Sequence, residues 1–74
     1  MVITPYAERR MRERDIDQEE LLDALALPRD SHIQGKTPGR FEVAGDTGRG
    51  NLRVVYERPL ADTVVIVTTY PEFD

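Results

Sequence analysis

The sequence predicts an α+β domain in which two N-terminal helices pack on one face of a four-stranded antiparallel sheet. Three observations carry that expectation. Apolar residues recur at helical spacing before Asp30, the period changes to two after it, and there Pro and Gly begin to punctuate the chain. At 74 residues the chain has room for one domain, covering 1–74.

The elements follow in order. Thr4-Pro5 reads as an N-cap followed by Pro at the first helical position, where its missing N–H is no loss. The first helix is expected from Pro5 to Arg14, with Tyr6, Arg10 and Arg14 along one face and Ala7 and Met11 forming the apolar stripe beside them. Asp17 with Glu20 three residues on reads as a capping box. It opens a second helix, Gln18 to Leu27, whose Leu21, Leu22 and Leu25 are expected to face the core and which Pro28 ends. Ser31 to Lys36 reads as a weak strand, Thr37 to Arg40 as a turn, and Arg40 to Ala44 as a second strand. Gly45 to Gly50 reads as a flexible connection. Asn51 to Glu57 alternates and forms the third strand, and Pro59 to Asp62 turns the chain. Thr63 to Tyr70, apolar on both faces at Val64 to Val67, suits an inner strand covered by a helix on at least one side.

Composition narrows the function. The formal charge is -4, and there is no Cys and only one His, which excludes disulfide scaffolds, thiol nucleophiles and Cys-ligated or His-rich metal sites. Neither a signal peptide nor an apolar run long enough to span a membrane is evident, so a cytoplasmic protein without membrane contact is expected. A chain this short supplies only about 3–5 kcal/mol from its core, which makes a masking partner or a homodimer a natural expectation.

The charge is unevenly distributed. Arg9 to Arg14 holds four Arg and one Glu, whereas Asp15 to Asp23 holds five acids and no base. Basic residues return at Lys36, Arg40, Arg49, Arg53 and Arg58. Two solvated faces of opposite sign explain such runs. The alternative is a groove lined by Arg10 and Arg14, directed at the sheet edge, and by Arg53, which points away from Leu52 and Val54 and toward Thr68 or Thr69; such a groove binds anions. The Gly45 to Gly50 segment lacks the Gly-Lys-Ser/Thr of a phosphate loop and reads as a plain loop. His32, the one imidazole, reads as solvent-facing and without a role rather than as a general base.

Ala7-x-x-Arg10-Met11-x-x-Arg14-x-Ile16, the acidic helix start, Leu52-Arg53-Val54-Val55-Tyr56 and Val65-Ile66-Val67-Thr68-Thr69-Tyr70 together resemble the domain-of-unknown-function 4258 family over Tyr6 to Pro71. That family looks related to RelE and BrnT type toxins, which share with barnase helices packed on an antiparallel sheet and cleave RNA without metal. The resemblance implies a RelE/BrnT-like ribonuclease-type toxin or a relative of one, with Tyr6, Arg10, Arg53, Thr68 and Tyr70 as catalytic groups. Arg14, Lys36 and Arg40 are the expected RNA-binding cations. No metal or cofactor is expected, and RNA and a cognate antitoxin are the expected partners. The reaction is attack of a ribose 2′-OH on the adjacent phosphate, which needs a base, an acid and cations for the phosphoryl oxygens. The family opens with His-Ala where this chain has Tyr6-Ala7, and a phenol of pKa about 10 is a poor base at neutral pH. Asp15 stands where the family has Gly, which removes the easy left-handed cap. The competing expectation is therefore a catalytically inactive module of the same fold that binds a protein through its sheet edge or its acidic second helix. A DNA-binding helix pair is disfavoured, because the acids of the second helix repel phosphate.

Overall fold

The computed structural model describes residues 1–72. In chain order the elements are β1 (Val2–Ile3), α1 (Pro5–Glu13), α2 (Gln18–Leu25), a 3-10 turn (Arg29–Ser31), β2 (His32–Gln34), β3 (Arg40–Asp46), β4 (Asn51–Leu60) and β5 (Thr63–Pro71). The sheet has five strands in the order β1-β5-β4-β3-β2. The expected four-stranded antiparallel sheet is thus corrected to a mixed one, because β1 pairs with β5 in parallel. Two residues ahead of a helix cap carry no periodicity, so β1 is not legible as a strand. It is held through Thr4, whose Oγ1 donates to the Ile66 carbonyl at 2.9 Å and accepts from Ala7 N–H at 3.2 Å. One hydroxyl thereby caps α1 and stitches it to β5.

Both helix starts form as the sequence predicts. Asp17 and Glu20 make the reciprocal capping box. The end of α1 differs from expectation in an informative way. Asp15 adopts the left-handed conformation at φ 55, so the cap survives the loss of Gly. Ile16 N–H donates to the Met11 carbonyl at 2.8 Å and Asp15 N–H to the Arg12 carbonyl at 3.3 Å, the pattern of a Schellman motif. Ile16 and Met11 are both buried, which supplies the hydrophobic contact that accompanies it. The α2 stripe is corrected as well. Leu21 and Ala24 are buried and Leu25 is half-buried, but Leu22 is 45% exposed.

One face of the sheet, carrying Val43, Gly45, Leu52, Val54, Tyr56, Ile66 and Thr69, packs against Ala7 and Met11 of α1 and Leu21 and Ala24 of α2. Gly45 belongs to β3 rather than to a loop, and a Cβ there would lie 2.9 Å from both Cα and Cβ of Ala24. The absent side chain is what lets α2 lie this close to the strand. The remaining loop, Thr47 to Gly50, is pinned. Thr47 N–H and Oγ1 both donate to the Gly50 carbonyl at 2.9 Å, and Gly48 N–H donates to the Asp46 carboxylate at 2.8 Å. The Thr47, Gly48 and Arg49 amides are thus committed within the loop, which argues against a phosphate cradle there.

The β4–β5 pairing contains two register shifts. At the first, Val55 pairs with Thr68 and Tyr56 with Ile66, so Val67 is an extra residue. A one-residue slip reverses which side chains face the core. Ile66 and Thr69 both point inward for this reason, although they are three apart. The second shift, between Glu57 and Leu60, accommodates Pro59 within the strand, where its missing N–H breaks no regular ladder. The turn shrinks to Ala61-Asp62, because Leu60 already pairs with Thr63.

Two outcomes follow. Gly45→Ala is expected to cost about 1–3 kcal/mol through overpacking, lowering Tm by roughly 4–8 °C per kcal/mol, with Ala24→Gly in the same chain recovering part of the loss; equal melting temperatures would contradict the close approach. Asp15→Gly is expected to raise stability by up to about 1 kcal/mol in urea unfolding, because it relieves the left-handed backbone.

Candidate functional site

The residues expected to form one site divide between two layers. Tyr6, Arg10 and Arg14 belong to the helical layer: Tyr6 is exposed in the first turn of α1, Arg14 is its exposed C-cap, and Arg10 reaches Glu13 at 3.6 Å. Arg53, Thr68 and Tyr70 lie on the opposite face of the sheet. Arg53 alternates with the buried Leu52 and Val54 and pairs with Tyr70 across the strands, and Val55 brings Thr68 alongside. The sheet itself separates Arg10 from Arg53, so the convergence anticipated for these two cations does not occur. Of the expected RNA-binding residues, Arg40 shares the open face with Arg53, whereas Lys36 sits in the exposed turn between β2 and β3. Thr69, the other hydroxyl considered, is buried and donates to the Arg53 carbonyl at 3.0 Å.

The open face is neutralised from within. Arg53 Nε donates to Glu72 at 3.0 Å and its Nη1 to Glu42 at 3.4 Å, while Arg40 Nε donates to Glu57 at 3.1 Å. Two guanidiniums therefore lie among three carboxylates. Each pair is worth only about 0.2–1 kcal/mol at this exposure, so the pairs do not lock the arginines. The local balance of charge is what opposes a phosphate there.

A second concave region lies at the N-terminal end of α2. Asp15, Asp17, Glu19, Glu20 and Asp23 line it with Arg49, which donates to Glu20 at 2.7 Å and to the Asp15 carbonyl at 3.2 Å. The Glu20 carboxylate raises the proton affinity of the guanidinium still further. Among the described residues no group of three or more His, Asp or Glu is arranged to hold a metal ion.

The third region carries no signature in the sequence. On the helix-covered face, beyond the end of α2, a cleft of about 430 Å³ opens over Tyr56. His32 is not an idle surface residue: Nε2 lies 3.0 Å from the Leu27 carbonyl and Nδ1 lies 2.6 Å from the Tyr56 hydroxyl. A carbonyl only accepts, so Nε2 carries the proton. In the neutral ring Nδ1 then accepts from the phenol. Phe41 stacks on Tyr56 with ring centroids 5.6 Å apart, and His32 meets the same ring edge-on. A lone His in a weak strand carries no signal of this role, because its partners lie 5 and 24 residues away.

Burial pushes the Tyr56 phenol above its ordinary pKa, with Arg58 pulling in the opposite direction. The neutral phenol is thus the form the fold favours. The associated stability is fully present below about pH 10 and is lost as pH rises through the folded value. Tyr56→Phe is expected to cost about 1–2 kcal/mol at pH 8 through the lost hydrogen bond and to show a smaller further loss between pH 9 and 11 than the parent chain. Urea unfolding at the two alkaline pH values checks this, and an unchanged alkaline loss would contradict it.

Among curated proteins and solved structures, none matches the chain. The family model described as a domain of unknown function, DUF4258, matches residues 3–71. That span takes in both helices and every strand residue except Val2. No helix of the described chain is long and apolar enough to cross a membrane. The chain belongs to the DUF4258 family.

Proposed function

We propose that this protein is a catalytically inactive binding module with a RelE/BrnT-like fold, acting by association with a protein rather than by cleaving RNA. The observation that carries this reading is the placement of Arg10 and Arg53 on opposite sides of the sheet. Transfer at a phosphate needs a base, an acid and a cation within reach of one phosphorus. The open face carries carboxylates and a phenol of the kind that act as base and acid, but those carboxylates are engaged with its own arginines. The open face has cations, hydroxyls and a phenol but no imidazole, and its three carboxylates outnumber its two guanidiniums.

Binding through a sheet edge agrees with the geometry of β2. That strand is outermost in the sheet, and its Ile33 is 55% exposed. An unpaired edge offers backbone donors and acceptors to a strand of another chain. A cognate antitoxin remains the partner class that the resemblance suggests, and a second copy of this chain would use the same edge.

The second reading is a metal-independent ribonuclease-type toxin acting in the cytoplasm. One observation favours it, the shared face of Arg40, Arg53, Thr68 and Tyr70. Incubating micromolar protein with RNA in the presence of EDTA separates the two. Intact RNA and harmless induced expression are expected. Shortened RNA, with Arg53→Ala abolishing cleavage at unchanged Tm, would replace the binding module by the nuclease.

A further inference from the structure

The cleft over Tyr56 belongs to neither of these readings, and its chemistry is specific. Its walls are apolar, formed by Leu25, Leu27 and Phe41, each half-buried and so partly open to a ligand. Its floor is fixed. The Leu27 carbonyl sets the His32 ring, and His32 Nδ1 in turn holds the Tyr56 hydroxyl, so the aromatic surface is rigid before anything binds. Preorganisation of this kind reduces the ordering cost of association.

At the rim stand Arg29 and Arg58. Both are exposed, and neither makes an ion pair with a described residue. This sets them apart from Arg40, Arg49 and Arg53, each of which has a carboxylate within ion-pair distance. Among the described residues no acidic side chain lines the cleft, although the chain carries fourteen Asp plus Glu. Two uncommitted guanidiniums beside an apolar, aromatic concavity recognise a ligand that joins a ring to an anionic group. At about 430 Å³ the space lies within the range of small-molecule sites.

We infer that this cleft binds a small aromatic anion, an aryl phosphate or aryl carboxylate, with the ring among Leu25, Leu27 and Phe41 and the anion on Arg29 and Arg58. His32 and Tyr56 are positioning residues. Binding requires no catalysis and holds whether or not the protein associates with a partner at β2.

The test uses the full isotope-labelled chain, titrated with phenyl phosphate and, separately, with phenylacetate while amide shifts are followed. At least one of the two is expected to saturate near about 1 mM, as suits a fragment of this size, with the shifts centred on Leu27, His32, Phe41 and Arg58. Inorganic phosphate, which lacks the ring, and benzyl alcohol, which lacks the charge, are each expected to bind at least about tenfold more weakly. The Arg29→Ala/Arg58→Ala double variant is expected to lose about tenfold in affinity at unchanged Tm, since neither side chain supports the fold, and the corresponding double Lys variant to recover most of it. Failure of both aromatic anions to saturate would overturn the inference. So would equal binding of inorganic phosphate or benzyl alcohol, shifts centred elsewhere, or full affinity in the double Ala variant.

Discussion

The two helices cover one face of the sheet, and the contact that sets how closely they do so is between Ala24 and Gly45. With a helix backbone this close to a strand, the apolar residues of α1 and α2 reach Leu52, Val54 and Ile66 and complete one core. Among the described residues no helix covers the other face of the sheet. Inward residues are therefore apolar or hydrogen-bonded, as Thr69 is, while the open face carries the Arg40–Glu57 and Arg53–Glu42 pairs among Val55, Thr68 and Tyr70. The distribution of possible sites follows from this one-sided burial.

The β4–β5 bulge decides what each face offers. Were the pairing regular, Thr68 would turn inward with Ile66 and Thr69 would join Arg53 outside. The extra residue at Val67 reverses that, placing Thr68 and Tyr70 beside Arg53 and sending Thr69 into the core. The same strand takes β1 on its far side, with Thr4 bonded to its carbonyls, so the helical layer is tied to the sheet at the strand whose faces the bulge assigns. The arginines of α1 and of β4 are thereby kept in different layers. Family membership is compatible with either a working or a silent site, and the separation of these cations supports the silent one.

Local electrostatics mattered more than the total charge. The net value of -4 conceals an acidic groove beside α2 that is closed by Arg49, a mixed open face, and a cleft with two uncommitted arginines. Surface pairs contribute little to stability individually. Their larger effect is to decide which cations remain available to a ligand, and by that measure Arg29 and Arg58 stand out from Arg53.

The sequence by itself determined the class of fold, both helix caps, the order of the elements and the outward direction of Arg53. These depend on short-range rules: a cap is set within four residues, and alternation within a strand is local. It did not reveal β1, whose two residues are a strand only because β5 accepts them, nor the exposure of Leu22, which depends on where α2 meets the sheet. The left-handed Asp15 was legible as a position and not as an outcome, since only the buried Met11–Ile16 contact shows the motif kept without Gly. The tertiary structure alone decided the bulge, the separation of Arg10 from Arg53 and the His32–Tyr56 pair. Each of these rests on contacts between residues far apart in the chain, and spacing along a sequence carries no information about which distant backbone will slip by one residue or which carbonyl will turn a ring.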